Sequence, residues 1–356
     1  MSTIYMIKKR PMSILLLFVI LALWAFFSHW GALFVFIFSA IGVIPMAGYI
    51  GEATEALAVH TGPKIGGLMN ATLGNMAELI ITLVAINAGL IELVKASITG
   101  SIIGNLLLVL GFSMVMGGAK NGTQKFDKRQ ATHQVTLLTL AILALAIPSL
   151  FSHSIGEEGS VKIETLSLGV AGVMIVLYIL GIIYSIRVFH SPLSQPVEKE
   201  HTKWSIPRSV IVLIVATIGI VFLSELLVGA VEDVVKYWGL SEFFLGIILI
   251  PIIGNAAEHL VAVQVAVRNQ MELSVEIAVS SSLQISLFVA PFLVFVSLFM
   301  GHPLSLIFNL FELIALIAAV LIVTLVSSDG ESNWLEGAAL LAVFTILSIA
   351  FFLLPA

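Results

Sequence analysis

Two glutamates, Glu78 and Glu258, stand inside long apolar segments of the chain. An ionisable side chain at the centre of a membrane-spanning helix costs roughly 2.5–3.5 kcal/mol, so each carboxylate needs a partner, a cavity or a function. Each ends the same short motif, Gly-Asn-x-Ala-Glu, at 74–78 and again at 254–258. Apolar runs often resemble one another by chance, but a repeated intramembrane carboxylate motif is rare. We therefore interpret the two segments as copies of one functional element.

The polar residues around the two glutamates carry oxygen ligands. On a regular helix the glycine, asparagine and glutamate of each motif share one face, because they stand at positions i−4, i−3 and i. The helix after each motif adds a serine and an amide. The predicted cation-binding residues are Glu78, Glu258, Asn75, Asn255, Gly74, Gly254, Ser101, Asn105, Ser280 and Gln284. Ca²⁺ takes about 6–8 oxygen ligands whereas zinc prefers His and Cys, so this set predicts a site for a hard divalent cation.

The two carboxylates also predict coupling to protons. Together, Glu78 and Glu258 balance the charge of one divalent cation. When the ion leaves, two facing carboxylates in a low-dielectric site repel each other, so protons can replace the cation. Competition between cation and protons for the same groups is a sufficient physical basis for exchange. The nearby glycines could free backbone carbonyls as further ligands or could serve close helix packing, and both interpretations stay open.

The composition indicates what kind of molecule must position these residues. Of the 356 residues, 59% are hydrophobic and 10% are charged, against about 25% charged in soluble domains. This excludes a water-soluble protein and predicts an all-α polytopic membrane protein. A net charge of −5 without a long basic stretch excludes a nucleic-acid partner. The absence of cysteine excludes disulfides and thiolate metal sites.

Eleven apolar runs are long enough to be transmembrane helices. They lie near 12–27, 32–59, 65–89, 94–117, 131–151, 163–189, 208–236, 243–267, 273–300, 303–326 and 334–354. Alternating the loops between the two sides of a bilayer puts 13 of the 16 Lys and Arg residues on the N-terminal side. The positive-inside rule then predicts a cytoplasmic N-terminus and an external C-terminus. We expect the protein in the cell membrane of a prokaryote.

The two motifs lie five predicted spans apart, which sets the organisation of the chain. An odd number makes the second copy cross the membrane in the opposite direction, so we predict an inverted-topology repeat with its substrate site near the midplane, where the repeats meet. The predicted parts are an N-terminal segment with an uncleaved first helix (1–31), a first five-helix repeat (32–189), a cytoplasmic linker (190–207) and a second, inverted five-helix repeat (208–356).

Five other polar residues are secondary candidates. His259 directly follows the second motif glutamate but points about 100° away from it on a regular helix. It could relay protons, gate the path or hydrogen-bond at an interface. Glu225 and Glu312 lie inside apolar runs and could serve a proton pathway or a structural pair. Glu55 and Glu232 lie toward helix ends, where they could gather cations or simply be solvated.

With these motifs and an inverted repeat around them, the sequence resembles the calcium/proton exchangers of the calcium/cation antiporter superfamily. The specific motifs are Asn-Ala-Thr-Leu-Gly-Asn at 70–75 and Asn-Ala-Ala-Glu-His at 255–259, and the resemblance extends from Gly-Glu-Ala-Thr-Glu-Ala-Leu-Ala at 51–58 to the final helix. It implies a fold of eleven helices, cation binding by the two repeat glutamates, and export of cytosolic Ca²⁺ driven by inward proton movement.

The sodium/calcium branch of the same superfamily differs at the site. It has hydroxyl residues and a proline where this chain has Gly74, Asn75 and Ala77, and an acidic residue at one of the positions of Asn105 and Gln284. Proton coupling is therefore favoured, with Na⁺/Ca²⁺ exchange or monovalent cation/proton antiport as the alternatives. The sequence lacks the motifs of an intramembrane hydrolase, namely HExxH, GxSxG or paired intramembrane aspartates, so we expect no enzyme activity. The expected partners are Ca²⁺, H⁺ and the lipid bilayer, without a cofactor; the resemblance allows a homo-oligomer, which no helix face in the sequence indicates.

Overall fold

The computed structural model describes residues 11–61, 66, 69, 72–156, 159–188 and 204–354. Of the predicted linker at 190–207, residues 190–203 lie outside the described residues. The first ten residues of the chain and positions 70 and 71 of the 70–75 motif lie outside them as well. The described chain is almost entirely helical, with one small pair of strands. This agrees with the predicted all-α class.

Thirteen helices have both ends within the described residues, counting a helix with an internal π-helical stretch as one. They are α1 (Leu16–Phe27), α2 (Ala32–Thr61), α3 (Met76–Asn87), α4 (Ile91–Asn121), α5 (Lys128–Ile155), α6 (Val161–Val188), α7 (Ile206–Gly229), α8 (Val231–Trp238), α9 (Glu242–Gly254), α10 (Ala256–Val267), α11 (Met271–Phe299), α12 (Leu310–Val326) and α13 (Trp334–Phe352). A short 3₁₀ turn, Pro11–Leu15, precedes α1. Thr72 and Leu73, before the turn at Gly74, are helical as well.

Seven of these helices are long and apolar enough to cross a membrane, namely α2, α4, α5, α6, α7, α11 and α13. The pair α8 and α9 would make an eighth span if counted together, although the two helices meet at a bend of 115°. The helices α1, α3, α10 and α12 are apolar but shorter. The structure is thus that of a helical membrane protein, and the count of eleven spans stays a prediction.

The helix predicted across 243–267 is not continuous, and this expectation was wrong. α9 ends at Gly254 and α10 begins at Ala256, while Asn255 between them has non-helical backbone angles (φ −101°, ψ 3°). In the first motif Asn75 has nearly the same conformation (φ −95°, ψ 23°) immediately before α3. Glycine and asparagine are both poor residues for a helix interior, so each Gly-Asn pair interrupts its helix there. Each motif glutamate consequently lies in the first turn of a new helix.

Three π-helical stretches also depart from the predicted regular helices. They are Gly104–Val109 within α4, Leu245–Leu249 within α9 and Ile285–Val289 within α11. Such stretches re-aim the side chains next to them and occur frequently at functional sites. The first contains Asn105 and the third begins directly after Gln284, so both lie beside predicted site residues.

Loop contacts at the two ends of the bundle agree with the predicted sidedness of the loops. At one end, the strands β1 (Gln124–Lys125) and β2 (Glu331–Ser332) pair antiparallel. There Gln124 Nε2 also donates to Ala266 O at 2.9 Å and to Asn269 Oδ1 at 3.0 Å. At the other end, Leu93 N donates to Glu242 Oε1 at 3.3 Å. Each contact joins loops that the alternating scheme places on one side of the membrane.

α4 is the most buried of the long apolar helices and packs against α9, α10 and α13. Its close approach to α9 depends on Gly100, because a Cβ there would overlap the carbonyl oxygen of Ile247 and come 2.7 Å from Pro251 Cγ. The backbone of Ile247 cannot move aside as the end of a flexible side chain can. This contact therefore fixes how closely the first half of the chain packs on the second.

We expect Gly100→Ala to destabilise the protein by about 1–3 kcal/mol, the usual cost of an overpacked core. The matched control is Gly104→Ala on the same helix, where a Cβ would meet nothing within 4 Å. Thermal unfolding in detergent, followed by tryptophan fluorescence, measures both. Equal midpoints for the two variants would show that the close approach at Gly100 is not required.

Candidate cation site

Glu78 lies in a buried cluster with Ser101 and Asn255. Ser101 Oγ and Asn255 Nδ2 both donate to Glu78 Oε1, and Asn255 Nδ2 also lies 3.4 Å from Ser101 Oγ. All three side chains are at most 5% exposed. Ser101 comes from α4, whereas Asn255 belongs to the second motif. The cluster therefore joins the two Gly-Asn-x-Ala-Glu motifs directly.

Glu258 makes an equivalent contact in its own half of the chain. Ser281 Oγ donates to Glu258 Oε2 at 2.7 Å. The serine stands 23 positions after its glutamate, the same separation as between Glu78 and Ser101. Glu258 is half-buried, whereas Glu78 is buried. The two halves thus share one local geometry but differ in access, and Glu258 is the more accessible carboxylate.

Two more hydrogen bonds connect the halves. Asn75 Nδ2 donates to Gln284 Oε1 at 2.6 Å, which ties the first motif to α11. His259 Nε2 lies 3.2 Å from Asn105 Oδ1, which ties α10 to the π-helical stretch of α4. His259 therefore does reach the predicted ligand set, through the neighbouring helix rather than through its own. The helical-wheel argument placed it away from Glu258 but could not place it relative to α4.

Several buried polar atoms of the predicted ligands lack a hydrogen-bond partner among the described residues. They include Glu78 Oε2, Asn75 Oδ1 and Asn105 Nδ2. A buried polar group without a partner costs about 1–3 kcal/mol, so each of these atoms calls for an explanation, and a bound ion is one such explanation. Two of the three are oxygens, the atom type that hard cations prefer. Within the described residues no three His, Cys, Asp or Glu side chains group as a metal site, so a cation here would need the amides and hydroxyls as well.

The helix ends add to the electrostatics of the site. The asparagines that precede α3 and α10 make no side-chain capping bond to their helices, so their amides are used in the cluster instead. The first-turn N–H groups of a helix carry partial positive charge. Glu78 and Glu258 each lie beside that charge, in the first turn of their helices. Gly254 permits the closeness of the two halves, since a Cβ there would lie 3.1 Å from Glu78 Cγ.

Two predicted ligands, Gly74 and Ser280, lie next to the contacts rather than within them. Gly74 is half-buried in the turn before Asn75. Ser280 is half-buried, and the hydroxyl that donates to Glu258 is that of the next residue, Ser281. Sequence reasoning missed Ser281 because it paired the serines at an offset of 179 instead of the 180 that relates the glutamates. Holding the offset constant would have found it.

The remaining secondary candidates lie apart from the cluster. Glu312 is buried at the start of α12, where it forms a capping box with Asn309 and accepts a hydrogen bond from Thr99 Oγ1 at 3.1 Å. These contacts account for its burial structurally. Glu55 is exposed on α2, and Glu232 is exposed on α8 within 3.7 Å of Lys236.

Glu225 does not lie inside the bundle. It is exposed on α7 and lines a groove of about 450 Å³ together with His29 and Phe222. The predicted role in a buried proton pathway therefore has no support from its position. His259, by contrast, contacts the predicted ligand Asn105.

Comparison with known proteins places this chain in a family. The family model described as sodium/calcium exchanger protein matches residues 31–187 and 208–353. A protein of Aphanothece halophytica named Ca²⁺/H⁺ antiporter is 43% identical over 358 residues, which covers 96% of both chains. The Ca²⁺/H⁺ antiporter ChaA of Bacillus subtilis (strain 168) is 44% identical over 92% of this chain and 94% of its own length.

A solved structure supports the same relationship at the level of the fold. The structure described as native YfkE is 41% identical in sequence and superimposes with a TM-score of 0.85, covering 96% of this chain and all of the other. The similarity therefore extends over both halves and includes both motifs. The chain belongs to the sodium/calcium exchanger protein family and, within it, groups with proteins named Ca²⁺/H⁺ antiporters, which confirms the family predicted from its motifs.

Proposed function

We propose that this protein is a secondary transporter that exchanges cytosolic Ca²⁺ for external protons at a site containing Glu78 and Glu258. The observation that carries the proposal is the buried cluster in which Asn255 of the second motif donates to Glu78 of the first. It brings both motifs to one place inside a membrane protein. The related proteins named Ca²⁺/H⁺ antiporters support the choice of ions.

Charge balance explains why the two ions would be exchanged. Two ionised glutamates neutralise one Ca²⁺, and protons neutralise the same two glutamates after the Ca²⁺ has left. An empty site with two bare carboxylates would be costly in a low-dielectric interior. The protein would therefore change its access from one side to the other mainly when loaded with Ca²⁺ or with protons, which is the requirement for coupled antiport.

The arrangement of ligands suggests the order of events at the site. Glu258 is the more accessible carboxylate, so an entering cation would meet it first. Glu78 lies deeper and has one oxygen without a partner among the described residues, as has Asn75. Binding there would satisfy both atoms. The hydrogen bonds from Asn255 to Glu78 and from Asn75 to Gln284 hold the two halves together around the ion.

Alternating access is proposed to use the inverted repeat. The family model matches the chain in two segments, one in each half. The interrupted helices at Asn75 and Asn255, the equal spacing of glutamate and serine, and the π-helical stretches in α4 and α11 support two copies of one unit. Inverted repeats allow one half to rock against the other about a site near the membrane midplane. The N-terminus would be cytoplasmic and the C-terminus external.

Transport assays in reconstituted liposomes test the function. We expect Ca²⁺ uptake driven by an imposed pH gradient, abolished by a protonophore and unchanged by an added Na⁺ gradient. Uptake that depends on Na⁺ and not on pH would assign the protein to Na⁺/Ca²⁺ exchange instead. Proton movement driven by K⁺ or Na⁺ without Ca²⁺ would indicate a monovalent cation/proton antiporter.

We expect Ser281→Ala to weaken Ca²⁺ affinity roughly 10–100-fold, because a hydrogen bond to a charged group contributes about 1.5–3 kcal/mol. The neighbours on α11 are matched controls, since Ser280 is half-buried and Ser282 donates to Ala278 O of its own helix. Replacing either with alanine should change the affinity less than about twofold. The KM for Ca²⁺ in the liposome assay distinguishes the three, and a larger effect at Ser280 would contradict the observed register.

A further inference from the structure

A cavity of about 720 Å³ lies between the start of α5 and the end of α6, apart from the cation site. We call it the α5–α6 pocket. Its lining residues are Asp127, Lys128, Arg129, Thr132, His133, Thr136 and Tyr184. None of these residues belongs to the ligand set proposed for Ca²⁺, so the exchange reaction leaves the pocket without a role.

The residues that line the pocket could bind an anion, because two of them are positively charged and several others are hydrogen-bond donors. Lys128 and Arg129 are exposed at the start of α5. The carboxylate of Asp127 already accepts hydrogen bonds from Arg129 N at 2.8 Å and Gln130 N at 3.1 Å as the helix cap. It is thus turned toward its own helix. Lysine and arginine both bind phosphate groups, and arginine can do so through two parallel hydrogen bonds.

The rings of His133 and Tyr184 form the wall between the two helices, with centroids 4.8 Å apart. Tyr184 is exposed and stands at the end of the candidate membrane span Val161–Tyr184 of α6. A tyrosine with an apolar ring and a polar hydroxyl is typical of the membrane–water interface. This places the pocket at headgroup level rather than in the water beyond the membrane.

The surface below the pocket is apolar and continuous with it. Leu140 follows Thr136 by one helical turn, and Leu180 precedes Tyr184 by one turn, so each lies on the same face as its pocket residue. Both leucines are about half exposed, as is Val176 a further turn along α6. α6 is the least buried of the seven long apolar helices. A ligand held by its phosphate in the pocket would therefore lie with its tail along Leu140 and Leu180.

We propose that the α5–α6 pocket binds the headgroup of an anionic phospholipid, whose acyl chains lie on the exposed apolar faces of α5 and α6. The apolar faces directly below the basic residues favour a lipid over a soluble phosphate compound, because only a lipid has acyl chains to pack against them. Basic pockets between transmembrane helices at the cytoplasmic side bind anionic headgroups in this way. The site is independent of the exchange reaction and would exist even if the transported ions were different.

Native mass spectrometry of the purified full-length protein in detergent tests the site, with phosphatidylglycerol as the probe and phosphatidylcholine as the neutral comparison. We expect K128Q/R129Q to weaken phosphatidylglycerol binding by at least about fivefold, since each basic residue near a headgroup contributes appreciably. Binding of phosphatidylcholine should not change. The control K120Q/R268Q removes two exposed basic residues outside the pocket and should alter phosphatidylglycerol binding less than about twofold.

Two further measurements keep the proposal open to refutation. Excess inorganic phosphate should not displace the lipid, and full displacement would show a site for soluble anions instead. In the wild-type protein, phosphatidylglycerol should slow amide hydrogen exchange at 128–136 more than at the start of α11. This measurement does not depend on a variant that folds. Equal lipid binding by K128Q/R129Q and wild type, or unchanged exchange at 128–136, would overturn the proposal.

Discussion

We expect Glu78→Gln to abolish Ca²⁺ flux driven by a pH gradient, and Glu258→Gln to do the same. Glutamine keeps the size and the hydrogen-bonding capacity of the side chain but removes one of the two charges that would balance Ca²⁺ and one of the two groups that would carry a proton. Removing one partner of a buried charge interaction costs about 2–5 kcal/mol, or roughly 30-fold to several thousandfold in affinity. Initial rates of Ca²⁺ uptake in liposomes measure the effect.

The matched control for this prediction is Glu225→Gln, the same substitution at an exposed glutamate of α7. It should retain near wild-type flux, because Glu225 lines an outer groove and not the cluster around Glu78. Thermal unfolding of each variant separates loss of transport from loss of folding. Substantial coupled flux in folded Glu78→Gln or Glu258→Gln protein would refute the two-glutamate site.

Asn255→Ala should lower the affinity for Ca²⁺ roughly 10–100-fold, the usual effect of removing a residue that orients a metal ligand. Asn255 Nδ2 donates both to Glu78 and to Ser101, so its loss would leave the deeper carboxylate poorly positioned. The amide is also the direct link between the two motifs. The KM for Ca²⁺ should therefore rise more than the maximal rate falls.

A double-mutant cycle makes this prediction specific. Because Ser101 and Asn255 donate to the same oxygen, Ser101→Ala and Asn255→Ala should be non-additive, as expected for members of one hydrogen-bonded network. The control is Asn121→Ala, which removes an amide that bonds the Ala266 and Val267 carbonyls outside the site. Strictly additive effects, or an equal loss of affinity at Asn121, would mean that Asn255 acts only through stability.

The residues of the buried cluster could be predicted from sequence because the signal was local and repeated. A carboxylate in an apolar segment is costly, so Glu78 and Glu258 were prominent, and the shared Gly-Asn-x-Ala-Glu motif paired them. The same pattern identified Asn75 and Asn255, which the structure brings to both sides of the cluster. These inferences needed only residue type and spacing.

Other features depended on packing and could not be read from one segment. The run Ser280-Ser281-Ser282 offers three hydroxyls about 100° apart on a helix, and only the placement of α11 against α10 selects Ser281. His259 points away from Glu258 on its own helix but meets Asn105 because α4 packs against α10. The π-helical stretches share no signature in composition, since Gly104–Val109 begins with glycine and asparagine whereas Ile285–Val289 contains neither.

The linkage between Ca²⁺ binding and proton release tests the central claim most directly. If both ions compete for Glu78 and Glu258, binding of Ca²⁺ to the purified protein must release protons, and its affinity must fall as the pH falls, because protonated carboxylates do not bind the cation. Calorimetric titration of Ca²⁺ in buffers with different ionisation enthalpies counts those protons. We expect proton release in the wild type and less in Glu78→Gln or Glu258→Gln protein wherever Ca²⁺ binding persists. Ca²⁺ binding that releases no protons and does not vary with pH would contradict the account.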